Sequence, residues 1–191
     1  LPGEEERVAL RGLRRGGWLG PLLGGALAGS RRPFAELAVT ARLRAAGAPV
    51  PRPLLAIAWR HGGVWNAAVG TAFVEHAVDA ATLLAATPPR RRLRRVLAAA
   101  ARAVRRVHDV GGDHPDLHVG NLLVREAGAA PPAVWIVDLD GARAGAPPGP
   151  AARMAQLMRL HRSLCKRGLL AAAGGDRGCL WFLHADRKSV V

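Results

Sequence analysis

The spacing of hydrophobic positions along this 191-residue chain changes several times, and each change marks an element. Residues 8–10 form a short β-prone run. From Pro33 onward, Phe34, Leu37, Ala38, Ala41 and Ala45 recur at three-four spacing, which predicts a helix with that stripe buried. Ser30 and Pro33 suit its start and Gly47 its end. Pro49, Pro51 and Pro53 each bias the preceding residue away from the helix, so an extended segment follows. Residues 54–59 and 64–75 read as strands, with His61, Gly62 and Gly63 as the turn between them. A short helix is expected over 80–86. Pro88 and Pro89 then open the longest helix, to about Asp109, with an apolar stripe of Leu93, Val96, Leu97, Ala100, Val104 and Val107. After Gly111 and Gly112 come two β-prone runs, 122–124 and 134–137, around a turn at 128–132, and then a helix over 153–166. Strands early, helices late and a β-hairpin within the helical half make an α+β plan in two lobes.

Composition narrows the picture. Half the residues are hydrophobic, enough for a packed core. No apolar run reaches the roughly 18–20 residues needed to span a bilayer, and 18–28 is apolar but short and glycine-rich. No segment has the layout of a signal peptide. The net charge is +14 and the pI about 11.7, which favours a polyanionic partner or substrate without choosing one; a solvated arginine-rich face explains the charge equally well. Lys166 and Lys188 are the only lysines. Cys165 and Cys179 have neither metal-site nor disulfide-framework spacing, so a reducing compartment is the default. In the long helix, Arg90, Arg91, Arg92, Arg94 and Arg95 crowd the first turns, where cations oppose the helix dipole. The chain starts at Leu1 rather than Met, and 186–191 resembles translated sequencing adapter, so a fragment with a doubtful, poorly packed tail over 174–191 is expected.

The segment richest in chemistry is His114-Pro115-Asp116-Leu117-His118-Val119-Gly120-Asn121-Leu122-Leu123-Val124, followed by Asp138 at the end of a β-prone run. An acid, an amide five residues later, a hairpin and a second acid can serve phosphoryl transfer, which needs positioning and cations more than covalent chemistry. Asn121 and Asp138 supply hard oxygen donors of the kind magnesium takes alongside phosphate oxygens. Asp116 can accept the proton of an attacking hydroxyl. Each residue alone is more simply a turn cap or strand end; the joint pattern is what carries weight. No Gly-x-x-x-x-Gly-Lys is present, so a P-loop enzyme is not supported.

The pattern H-x-D-x-x-x-x-N followed by an Asp at a strand end resembles the protein-kinase-like superfamily. The wording around Asp116 and in Val137-Asp138-Leu139-Asp140 is nearer to lipopolysaccharide kinases, and nearest to the bacterial 3-deoxy-D-manno-octulosonic acid (Kdo) kinases. Val8-Ala9-Leu10-Arg11, Arg14-Arg15-Gly16-Gly17-Trp18-Leu19-Gly20, Arg32-Pro33-Phe34-Ala35-Glu36-Leu37 and the stretches 46–53 and 159–164 add to the resemblance, which covers roughly residues 8–169. It implies a protein-kinase-like two-lobed fold with a truncated N-lobe, whose glycine-rich loop strands would precede Val8. The partial N-lobe would be 1–75 and the C-lobe 76–173. It implies Asp116 as catalytic base, Asn121 and Asp138 as Mg²⁺ ligands, and Arg11 paired with Glu36 as the ATP-binding cation and its partner. Arg11 stands where most kinases have Lys; arginine grips phosphate through two donors and keeps its charge. Thr71 to Glu75 would pass the adenine. Asp140 stands where protein kinases have Gly, as a supplementary acid or ligand, and His118 is read as structural.

The activity implied is ATP-dependent phosphorylation of a Kdo hydroxyl on a lipid A precursor, by a peripheral protein on the cytoplasmic face of the bacterial inner membrane. The partners would be the lipid-linked Kdo acceptor and an anionic membrane surface. A heptose or small-molecule kinase is the enzymatic alternative. A basic nucleic-acid-binding module is the non-enzymatic one; its scattered aromatics and missing motif argue against it, so no nucleic acid is expected.

Overall fold

A computed structural model describes residues 7–13, 30–61 and 64–187. The motif stretch 14–20, the apolar run 18–28, the Gly62-Gly63 turn and residues 188–191 lie outside them.

The first half is a three-stranded antiparallel sheet with one helix. Strands β1 (Val8–Leu13), β2 (Pro53–His61) and β3 (Val64–Ala72) are arranged β1-β3-β2. β1 aligns Val8 with Ala72 and Leu13 with Ala67; β2 aligns His61 with Val64. Helix α1 (Arg31–Ala45) lies between β1 and β2 in the chain and packs on β2 and β3. A small cluster of Leu13, Ala67 and Val69 fills the space, flanked by Leu37, Ala56, Ala58 and Trp65.

Two expectations need correction here. The buried residues of α1 are Pro33, Glu36, Thr40 and Leu43, whereas Phe34 is 50% exposed and Ala38, Ala41 and Ala45 face solvent. Periodicity identified the helix but picked the wrong stripe, because alanines exert little pull and a glutamate and a threonine take the inward positions. β3 also ends at Ala72 rather than 75. The Phe73 amide still donates to the Arg7 carbonyl (2.8 Å), but His76 then turns the chain with φ +56°.

The second half is mostly helical. β4 (Ala77–Asp79) leads into α2 (Ala80–Ala85), capped by Asp79, which accepts from the Thr82 amide and hydroxyl. The long α3 (Arg90–Asp109) buries Leu93, Val96, Ala100, Val104 and Val107, most of the expected stripe. Two of its crowding arginines find partners on the hairpin: Arg92 pairs with Glu126 (2.6 Å), and Arg95 donates to the Ala129 and Ala130 carbonyls. A two-residue strand β5 (Gly112–Asp113) pairs with β8 (Arg143–Ala144). Between them a 3₁₀ turn (Val119–Asn121) runs into β6 (Leu122–Arg125), which pairs with β7 (Ala133–Ile136), and β4 joins on the other side of β6. Helix α4 (Pro150–Lys166) begins three residues earlier than the pattern suggested, because Pro150 stands at its first position, where its fixed φ suits a helix start.

The large core joins α2, α3, α4, β6 and β7, and it takes in Leu43, Ala48 and Val50 from the end of α1 and the segment after it. The Ile136 amide also donates to the Pro49 carbonyl (2.8 Å). The two halves are thus fastened beside the hairpin.

From Gly174 onward, where a doubtful tail is expected, a helix forms, and none of its residues whose burial is described is fully buried. Helix α5 (Gly175–Arg187) lies against α3, and Phe182 packs on the main core. Gly178 allows the helix to lie close to the segment before it: a Cβ there would sit 2.0 Å from the Ala173 carbonyl oxygen. The periodic signal of the helix was diluted by its glycines and charges.

Candidate active site

Residues 114–121 form a loop whose backbone is held from three sides. His114 is buried; its Nδ1 accepts from the Asp116 amide (3.3 Å), and its Nε2 lies 3.3 Å from the Val137 carbonyl. That bonding requires a neutral ring with the proton on Nε2, and burial accordingly lowers the His114 pKa. Gln156, buried on α4, accepts from the His114 amide (3.0 Å) and lies 3.3 Å from His108 Nε2. Ser163 accepts from the Val119 amide (3.0 Å) and donates to the Leu160 carbonyl. The loop therefore rests on α4 and on the strand end at Val137.

Asn121 sits at the end of the 3₁₀ turn and is buried. Its Nδ2 donates to the Asp116 carbonyl (3.1 Å), which leaves the amide oxygen for the cleft that Asn121 lines. The Val137 amide donates to the Asn121 carbonyl (3.0 Å), so the turn and the strand end are one unit. Just beyond, Asp138 has φ +61°, the left-handed region that costs a non-glycine residue about 1–3 kcal/mol and recurs at functional sites. The turn lets Asp138 line the cleft while Leu139 enters the core. The Asp116 carboxylate is exposed, 3.9 Å from His118 Nε2, and His118 Nδ1 caps the 3₁₀ turn by accepting from the Gly120 amide.

The first half contributes from the opposite side. Arg11 Nη2 donates to both carboxylate oxygens of Glu36 (2.6 and 2.7 Å) and lies 3.0 Å from Asp138 Oδ1. Burial pushes the Glu36 carboxyl above its usual range, and the Arg11 bonds offset only part of that. Asp140 is tied to Arg32 of α1: Arg32 Nε donates to Oδ1 at 2.7 Å and Nη2 to Oδ2. The Arg32 bonds hold the Asp140 carboxyl below its usual range.

A cavity of about 350 Å³ lies between the two halves. Its lining combines Arg11, Glu36, Asn121 and Asp138 with the apolar Leu10, Val69, Leu123 and Ile136 and with residues 71–74. Asp116 is not among the lining residues and lies just outside, joined through the Asn121 hydrogen bond. Among the described residues no three His, Cys, Asp or Glu side chains cluster as a metal site. One carboxylate and one amide oxygen fit a magnesium ion whose remaining ligands are phosphate oxygens and water.

The sequence singled out Asp116, Asn121, Asp138, Arg11 and Glu36, and the fold brings all five to this region. It did not single out Arg32, Gln156 or Ser163 for contacts with the site. Gln156 left one signal: a polar residue continuing the α4 stripe of Leu157, Leu160 and Leu164.

Two lobes meeting at a cleft, with a hairpin-borne acid and amide below and a helix glutamate above, define a protein-kinase-like phosphotransferase fold. A solved structure of WaaP in complex with acyl carrier protein matches this chain with a TM-score of 0.62 at 21% identity, covering 83% of this chain and 66% of that one. The lipopolysaccharide kinase (Kdo/WaaP) family model matches residues 4–174, and the chain belongs to that family. Among curated relatives, the Kdo kinase of Photobacterium profundum is 36% identical over 174 residues, covering 87% of this chain and 68% of that protein. The Kdo kinase of Vibrio cholerae is 32% identical, covering 87% and 70%. The chain thus spans about two thirds of the length of these relatives.

Proposed function

We propose that this protein transfers the γ-phosphoryl group of ATP to a hydroxyl of Kdo on a lipid A precursor during lipopolysaccharide core assembly. The single observation that carries the reading is the gathering of Arg11, Glu36, Asn121 and Asp138 in one cleft, with Asp116 beside it, in a chain of this family. The names of the curated relatives supply the acceptor.

In this reading residues 1–75 are the N-lobe and 76–173 the C-lobe, to which α5 is added by its packing on α3. ATP places its adenine against Leu123 and Ile136 and its phosphates toward Arg11. Arg11 grips phosphate, and Glu36 holds the guanidinium in position. Asn121 and Asp138 hold Mg²⁺, which neutralises charge on the transferring group when bound. Asp116 accepts the proton of the acceptor hydroxyl as its oxygen bonds to phosphorus and the bond to the ADP oxygen breaks.

The acceptor is lipid-linked, so the protein works as a peripheral protein on an anionic membrane surface, at the cytoplasmic face of the inner membrane. The net charge and the exposed Arg90, Arg91 and Arg94 support that placement. No helix among the described residues is long and apolar enough to cross a membrane.

The roles are tested in the intact protein. Asp116→Asn should lower turnover by about 10²–10⁴ while keeping nucleotide affinity. Asp138→Asn should raise the magnesium concentration needed for half-maximal rate, because a neutral amide is the poorer ligand. Near-normal turnover by Asp116→Asn would remove the base assignment.

A further inference from the structure

Asp140 follows the cleft by two residues, yet its carboxylate is spent on α1. Both its oxygens are taken by Arg32, across 108 residues of sequence and between the two halves of the fold. Arg32 and Glu36 are four apart on α1 and share one face. Asp138 and Asp140 are two apart on the facing loop. Helix and loop are therefore joined twice: directly through Arg32–Asp140, and indirectly through Glu36–Arg11–Asp138. Near its start α1 is held by apolar packing through Pro33 and Leu37 alone, while Phe34 and Ala35 are exposed and the other buried position is the charged Glu36. A cavity bounded by Arg32, Ala35, Glu36, Asp140, Gly141 and Ala142 lies beside the ion pair, so the helix has room to shift.

We infer that Asp140 is a positioning residue, and that its pairing with Arg32 clamps the start of α1 so that Glu36 goes on sharing Arg11 with Asp138 and keeps the guanidinium from turning wholly to that carboxylate. The inference rests on the reading of Asp138 as the magnesium ligand. Without the clamp α1 tilts outward and Glu36 releases Arg11. The guanidinium, already 3.0 Å from Asp138 Oδ1, then competes with the cation for that carboxylate. Binding of the magnesium nucleotide suffers, while binding of metal-free nucleotide suffers little.

The experiment is calorimetric binding of ADP to the intact protein, with and without Mg²⁺, for Arg32→Gln, Asp140→Asn, the double variant and the charge-exchanged Arg32→Glu/Asp140→Arg. Each single variant should weaken Mg–ADP binding by roughly tenfold, within the range usual for coupling between sites. The double variant should cost no more than either single, and the exchanged pair should recover most of the loss. Arg32→Lys, which keeps the charge and loses the two-pronged grip, should fall between and serves if Arg32→Gln does not fold. Loss on Asp140→Asn alone, with Arg32→Gln unaffected and no recovery on exchange, would overturn the clamp and make Asp140 a ligand in its own right. Unchanged binding in both single variants would also overturn it. Asp138→Asn is the control: if it leaves Mg–ADP binding intact, the site reading falls first and the clamp with it.

Discussion

Replacing Glu36 by Gln separates a structural from a functional role for the most buried charge in the cleft. The Glu36 side chain is 5% exposed, and one guanidinium nitrogen of Arg11 serves both its oxygens and Asp138. Hydrogen bonds to charged groups contribute about 1.5–3 kcal/mol. Three features pull the stability cost of Glu36→Gln down. Glutamine keeps one acceptor oxygen, the cost of burying a carboxylate disappears, and Arg11 is 37% exposed, so solvent screens its charge. A net loss of about 1 kcal/mol remains, which at this chain length lowers Tm by about 2–4 °C. Phosphate transfer should suffer far more. In the proposed reading Arg11, no longer shared with Glu36, turns wholly to Asp138 and away from phosphate, and losing one charge-assisted contact of about 1.5–3 kcal/mol in the transition state should lower kcat/KM for ATP by about 10- to 150-fold. The assays are thermal unfolding followed by circular dichroism and steady-state phosphate transfer with varied Mg–ATP. Parental kcat/KM in Glu36→Gln would show that Glu36 does not position Arg11 for phosphate. So would a melting temperature so reduced that unfolded protein alone accounts for the lost rate.

Three further outcomes follow from the packing and the titrating groups. The His114 pKa is depressed in the folded chain, so below about pH 6.5 the unfolded state binds more protons and stability falls with acidity; in His114→Asn, urea midpoints between pH 7 and pH 5 should drop less than in the parent. Gly178→Ala drives a Cβ into the Ala173 carbonyl and should cost about 1–3 kcal/mol in thermal unfolding. Ser163→Ala removes the acceptor of the Val119 amide, and an unsatisfied buried amide costs about 1–3 kcal/mol; hydrogen exchange at Val119 should rise, and turnover should fall with it.

Much of this was legible in the sequence where one local pattern implied one outcome. The α3 stripe and the hairpin runs around 122–136 have strong periods and clear breakers, and they formed as read. The loop acids and the amide were legible because their spacing is chemical and does not depend on packing. The stripe on α1 was not legible, since its inward face holds Glu36 and Thr40, and only the cleft explains why polar residues turn inward. The strands β4, β5 and β8 have two or three residues and no period to detect. Helix α5 hides behind glycines whose purpose, as at Gly178, appears only when the neighbouring backbone is in place. The pairing of Arg32 with Asp140, 108 residues apart, left no trace in the sequence, whereas Arg11 with Glu36 was expected only through the resemblance.

The proposed transfer reaction can be tested directly. The measurement is transfer of labelled γ-phosphate from ATP, in the presence of Mg²⁺, by the intact protein to a Kdo-bearing lipid A precursor, run beside the same precursor without Kdo and beside a heptose-bearing acceptor. Label is expected in the Kdo-bearing lipid, none in the lipid lacking Kdo, and the signal should be lost in Asp116→Asn. Label in the heptose acceptor alone, or equal labelling by parent and Asp116→Asn, would contradict the proposal.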